Sequence, residues 1–291
     1  MIDGSVDAII SSDLENIDIL KRFSSFKLYK FLKPFYYILV FKNKEIFKER
    51  GVRKALNYAV NKRELLKKVL DNEGEISSGT VLPILWANNK QIKPYPYNPL
   101  KAIRLLAKAG WKDTNNDHIL DKDGVEFDFT ALLVEGEVLD EKALRQIQVD
   151  FNKIGITMKT KKYTLNRIIH FMYQRQFDAI FIHLSGRGDP DTNYRFWHSS
   201  QIQNGNNFFS YKNITVDKFL EEARRASDID LRKKFYNQFQ EEIFNDPPGI
   251  FLFWANNLSI IHERYKGVKI HPNWMNDLKD WHVPKEEQRA G

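Results

Sequence analysis

The sequence predicts a mixed α/β fold in 291 residues. Three observations carry that prediction. Short runs rich in branched and aromatic residues alternate with segments whose apolar residues recur at helical spacing. The stretch FDAIFIHLSGRGDPDTNYRFWHSS, residues 177–200, reads as a buried strand that stops at a Gly and Arg loop and passes into a helix start. The length accommodates two domains or one large one, and no internal repeat is visible.

Taken in order, residues 6–10 read as a short strand, and Ser12 or Asp13 is placed to cap a helix through about Phe23. Residues 26–32 and 35–41 flank Lys33-Pro34 and predict two strands joined at the proline. From 52 to 70, Val52, Leu56, Ala59, Val60, Leu66 and Leu70 share one helical face. Residues 77–99 hold four prolines and predict an irregular surface wrap. Asn98-Pro99 starts a helix with Ile103, Leu106 and Ala109 inward, ended by Gly110.

A hairpin-like region follows at 115–134. The next helix has Leu139, Ala143, Ile147, Phe151 and Ile154 in register, and 156–163 predicts a strand. A helix at 165–175 then precedes the strand at 177–184. Beyond the loop, Val216, Phe219, Leu220 and Ala223 mark one helix, and Leu231, Phe235, Phe239 and Ile243 mark another. Asp246-Pro-Pro-Gly249 stops the latter, and 250–261 is again strand-like.

Composition narrows the class. No apolar run approaches the roughly 20 residues that a membrane-spanning helix needs. The acidic amino terminus lacks the basic region and apolar core of a secretory signal. Cysteine is absent, which excludes disulfides, thiolate catalysis and cysteine-based metal sites. The net charge of +7 permits an anionic partner. Yet bases alternate with acids, as in KNKEIFKERGVRK, the pattern of solvated helix faces.

Several motifs tempt and fail. Asp113, Asn115, Asp117, Ile119 and Asp121 follow calcium-loop spacing, but His118 stands where the sharp turn needs Gly, and Gly124 where a bidentate Glu belongs. Gly186-Arg-Gly188 follows a strand but lacks the third glycine of a dinucleotide loop. The histidines show no zinc-protease spacing, so neither a metal nor a cofactor is expected.

The loop itself is the candidate ligand wall. Asp189-Pro190 suits a helix N-cap and first turn, and a loop entering a helix N-terminus favours anions. Arg187 is either a solvated turn residue or a bidentate partner for a ligand carboxylate. Asp189 is either a cap or a ligand contact. The residues expected to face the ligand are His183, Ser185, Arg187, Asp189, Tyr194, Trp197, Asn206 and Asn207. A hydrolase using His183, Ser185 and Asp189 and a basic nucleic-acid-binding module are the competing classes.

Together the residues resemble the extracytoplasmic solute-binding proteins of ABC importers, family 5. Gly4-Ser-Val-Asp7 is similar to its G-x-x-D element, and VRKALNYAVNKRE from Val52 to its V-R-x-A-L-x-x-A-I-D-R helix. Tyr97-Asn-Pro-Leu-Lys-Ala102 through Ala109-Gly-Trp111 resembles its Y-D-P-x-K-A and A-G-W run. Asp189-Pro-Asp191, Trp197-His-Ser-Ser200, Asn206-Asn207, Tyr211-Lys-Asn213, Asp246-Pro247 and Tyr265-Lys-Gly267-Val268 continue the series.

The resemblance implies a type II periplasmic-binding-protein-like α/β lobe, a mixed sheet with surrounding helices, plus part of a second lobe. Residues 44–246 would form one complete lobe, with 1–43 and 247–291 belonging to the other. It implies a non-catalytic peptide-binding subunit, periplasmic or anchored at the cell surface, holding a peptide or another small solute in a cleft between lobes. Its partners would be membrane permease subunits and not nucleic acid. In the family's dipeptide and oligopeptide binders, the strand before Asp-Pro carries a Trp and, three residues on, an Asp that pairs with the peptide's amino terminus. Here those positions are His183 and Gly186.

Overall fold

A computed structural model describes residues 6–11, 24–43, 45–186, 188–269 and 278–288. The chain forms two compact units, one made of residues 35–253 and one of 1–34 with 254–291. The helix expected from Ser12 or Asp13 to Phe23 lies outside the described residues.

In the smaller unit, β1 (Ala8–Ser11) runs antiparallel to the end of β9 (Gly249–His262), with Ala8 opposite Ile261 and Ser11 opposite Leu258. Leu258 and Ile260 are buried and pack against Phe26 and Leu28. The Phe26 ring meets His262 edge-on at 5.0 Å. Arg264 pairs with Asp7.

β2 (Phe26–Phe41) is a single strand where the sequence predicts two. Pro34 does not break it, and the ladder with β8 (Ala179–Ser185) begins one residue later at Phe35, so that ladder does not call on the missing N–H. In the larger unit β2 is antiparallel to β8, from Phe35 opposite Ser185 to Phe41 opposite Ala179. β8 is parallel to β6 (Asp128–Val134), which is parallel to β7 (Thr157–Tyr163). The short β3 (Gly74–Ile76) pairs with β9, and β4 (Asp121–Lys122) with β5 (Val125–Glu126) forms a separate hairpin. β8 has neighbours on both sides, β2 along its length and β6 at Ala179 and Ile180, and its run of Ala179, Ile180 and Phe181 is buried.

The predicted helix over 52–70 is two helices, α1 (Arg50–Ala59) and α2 (Lys62–Leu70). Val60 takes extended backbone angles, and the Asn61 side chain accepts from Glu64 N, capping the second helix. Residues 77–98 carry no helix or strand, as their prolines predict. α3 (Pro99–Lys108) begins as expected with an Asn98 cap and Pro99 in the first turn. Ile103, expected inward, is 39% exposed, because Ala102 and Leu106 take the buried face.

α4 (Val138–Asn152) buries Ala143, Ile147 and Phe151, and α5 (Leu165–Gln174) leads back to β8. α6 (Thr192–Trp197) and α7 (Gln201–Asn204) are short, while α8 (Ile214–Arg225) and α9 (Ile229–Asn245) pack together before β9. An aromatic cluster fills the core between strands and helices. Phe41 stacks on Phe47 at 4.4 Å, and Phe129 meets Phe47 edge-on at 5.0 Å.

The loop with calcium-like spacing turns its carboxylates on itself. Asp121 accepts from Thr114 N and Oγ1, Asp113 from His118 N and Asp117 from Ile119 N. These are the bonds of an Asx-rich turn. No helix of the described residues is long and apolar enough to cross a membrane.

Candidate ligand-binding site

His183 is the polar residue that β8 presents near its carboxyl end, and its surroundings are built by three elements. On β2, Tyr37 lies directly opposite in register, with its ring centroid 4.1 Å from the imidazole. Phe35, two residues earlier on the same strand face, stacks nearly parallel at 5.7 Å and 11°. From the first turn of α4, Asp140 places both carboxylate oxygens 2.9 and 3.0 Å from His183 Nε2. An acid is well placed there, since the helix N-terminus carries partial positive charge.

Asp140 is 2% exposed while the His183 side chain keeps 28% of its surface. A carboxylate only accepts, so Nε2 carries the proton, and Nδ1 makes no hydrogen bond among the described residues. The arrangement therefore holds an oriented imidazole with one ring nitrogen open to a ligand. Tyr37 is closed to such chemistry, because burial, reinforced by the Asp140 and Glu137 carboxylates, holds its hydroxyl protonated well above the ordinary range.

The loop beyond β8 departs from expectation. Ser185 is exposed at the strand end, Gly186 is buried and Arg187 lies outside the described residues. α6 starts at Thr192, not at Pro190. Asp189 is therefore not its cap, and instead accepts from Asp191 N at 2.9 Å and pairs with Arg232 at 3.0 Å. Asp191 binds Arg224 through two bonds of 2.6 and 2.8 Å, and that guanidinium lies 3.4 Å from the centre of the Tyr194 ring. Two aspartates stand before this six-residue helix, so the anion preference expected of its start does not apply.

Trp197 is fully buried and stacks on Phe209 at 5.7 Å, and it offers no surface to a ligand. Asn207 is likewise fully buried. Its Nδ2 donates to Tyr211 O at 2.8 Å and His198 O at 3.2 Å, and its Oδ1 accepts from Tyr211 N at 3.1 Å. Both residues hold the loop from beneath. Asn207→Ala is expected to cost about 1–3 kcal/mol by leaving these buried backbone groups unpaired, read as a lower denaturant midpoint at unchanged slope. Asn206 is half-buried beside it, and Tyr194 is half-buried with its ring on His198 at 4.2 Å.

His183 and Asp189, expected together in the hydrolase reading, are not paired with each other. The acid that orients His183 is Asp140, and Asp189 belongs to Arg232. Sequence reasoning missed Asp140, Phe35 and Tyr37. Phe35 and Tyr37 carry a period-two signal on one strand face, but only the register sets that face beside His183.

This mixed sheet with helices around it is the fold of the type II periplasmic-binding class of solute-binding proteins. Residues 1–206 match the family described as bacterial extracellular solute-binding proteins, family 5 Middle. The chain belongs to that family. It is 35% identical over 271 residues to the oligopeptide-binding protein AppA of Bacillus subtilis, covering 91% of this chain and 50% of that protein. The structure of Bacillus subtilis AppA in complex with a nonapeptide superposes with a TM-score of 0.82 at 32% identity, over 97% of this chain and 57% of that one. NikZ from Campylobacter jejuni in complex with Ni(L-His) superposes at 0.81 and 30% identity, over 96% and 58%. The chain thus spans about half the length of the curated relative it matches.

Proposed function

We propose that this chain supplies one ligand-holding wall of a peptide-binding subunit of an ABC importer that works outside the cytoplasm and has no catalytic activity of its own. One observation carries the reading. His183 is fixed by Asp140, flanked by Phe35 and Tyr37, and open at Nδ1, in a chain that belongs to a solute-binding family. Nδ1 would accept from a peptide N–H, and the Phe35 face would pack a peptide side chain. Residues 44–246 would act as one lobe, with 1–43 and 247–291 belonging to the other. Permease subunits would be its membrane partners.

His183→Ala is expected to weaken binding of a nonapeptide pool at least ten-fold by calorimetry, the worth of one well-oriented hydrogen bond plus the lost packing. An unchanged affinity refutes this placement of the ligand.

A second reading, uptake of a metal chelate, is favoured by the same open nitrogen. Metal-ligating imidazoles commonly donate their other N–H to a carboxylate, as His183 does to Asp140. The NikZ likeness points the same way. Native mass spectrometry with metal analysis of the purified protein decides between them. Co-purified peptide supports the first, and stoichiometric nickel without peptide replaces it with the second.

A further inference from the structure

The larger unit holds a cavity of about 620 Å³ whose floor and rim carry cations. Lys62 and Tyr95 are buried in it, at 5% and 6% exposure, while Arg63, Lys93 and Tyr97 stand exposed around its mouth beside Ile76. Lys62 opens α2, and Asp150 near the carboxyl end of α4 accepts from the neighbouring Asn61 N. Asp140, which orients His183, lies ten residues earlier on α4, about 15 Å away along the helix. The cavity is therefore separate from the His183 wall.

The Lys62 amine is under-coordinated for its burial. An ammonium has three donors. Among the described residues its only hydrogen bond is a long one, 3.4 Å to Asn57 Oδ1, with the Tyr95 ring centre 5.8 Å away. The charged groups around it are committed elsewhere or do not oppose it. Asp150 also binds Lys153 and Gln146, the Tyr95 hydroxyl donates to Phe244 O, and Arg63 and Lys93 are themselves cations. A buried cation with no counter-charge is costly, and burial accordingly pulls the Lys62 amine down to about 7.

From this geometry we propose that the cavity is a binding site for a small organic carboxylate with an apolar body. The carboxylate would bond Lys62 Nζ, Tyr95 and Ile76 would flank the body, and Arg63 and Lys93 would draw the anion to the mouth. The volume lies within the range of small-molecule sites, which join an apolar lining to a few placed polar groups. One buried amine beside aromatic and aliphatic surface fits a monoanion with a hydrophobic side better than a fully hydrated dianion.

The test is calorimetric titration of the full chain with benzoate at pH 8, in two buffers of different ionisation heat. One saturable site is expected, with uptake of close to one proton, because the arriving carboxylate restores the charge on Lys62. Lys62→Met is expected to weaken binding at least ten-fold. Ile76→Trp, which fills the cavity and leaves the amine in place, is expected to do the same. Absence of saturable binding, wild-type affinity in either variant, or no proton uptake overturns the proposal. Tighter binding of inorganic phosphate than of benzoate overturns the assigned ligand class.

Discussion

Arg53→Ala is expected to lower the stability of the larger unit by about 3–5 kcal/mol, the range for breaking one side of a buried ion pair. Arg53 is 2% exposed and uses its whole guanidinium. Nε donates to Pro247 O at 2.9 Å, while Nη1 reaches Asn43 Oδ1 at 2.7 Å, Phe47 O at 2.5 Å and Lys48 O at 2.8 Å. Nη2 pairs with the Asp246 carboxylate, which also receives Asn213 Nδ2 at 2.9 Å and the Tyr211 hydroxyl at 3.4 Å. Removing the guanidinium strands one buried carboxylate and three backbone carbonyls. Arg53→Lys is expected to recover less than half of the loss, since an ammonium lacks the planar fork that these acceptors require. Urea unfolding followed by tryptophan fluorescence measures both, and a loss below about 1 kcal/mol for the alanine variant contradicts the network's structural role.

Lys62→Met is expected to change sign with pH. Below about 7 the folded and unfolded chains both hold the proton, so the full cost of burying the charge is present. Between about 7 and the ordinary 10.5, only the unfolded chain holds it, and wild-type stability rises with pH relative to the variant. The displacement corresponds to about 5 kcal/mol at full value, of which about half is expected after local relaxation. Removing the amine also strands Asn57 Oδ1, a cost of about 1 kcal/mol at any pH. The methionine variant should therefore be the more stable by about 1–2 kcal/mol at pH 6 and the less stable by about 1 kcal/mol near pH 10. Parallel denaturant curves at the two pH values measure the crossover. A pH-independent difference shows that the lysine keeps its ordinary titration.

The Arg53 network also explains what the family motifs encode. Arg53 comes from the VRKAL helix, Asp246-Pro247 from the end of α9, and Tyr211 and Asn213 from the run between α7 and α8. These pieces, dispersed over nearly 200 positions, meet at one buried point. Asn213 additionally caps α8, its Oδ1 accepting from Thr215 N.

Most helices and strands were legible because their burial is periodic, as in α4, where Ala143, Ile147 and Phe151 repeat every four residues. The failures are local decisions that periodicity does not encode. The break at Val60-Asn61 keeps the apolar spacing on both sides, and only the Asn61 cap marks it. The continuity of β2 through Pro34 is a matter of how the strand sits between β9 and β8, which no local pattern states.

The sequence singles out His183 as a polar residue near the end of β8, but it does not show which residues of the aromatic loop are buried. Trp197 and Asn207 have the chemistry of ligand contacts, but packing against Phe209 and bonding to Tyr211 consume it. Asp189 looked available and is paired with Arg232 on α9, as Asp191 is with Arg224 on α8.

By itself, then, the amino-acid sequence determined the α/β class, the placement of most elements and the family, since these depend on composition, short-range periodicity and motif order. Only the tertiary structure decided which polar groups remain open to a ligand. That outcome depends on pairings between residues far apart in sequence, such as His183 with Asp140 and Arg53 with Asp246. A side chain's availability is set by what strand register and helix packing bring within about 3 Å of it.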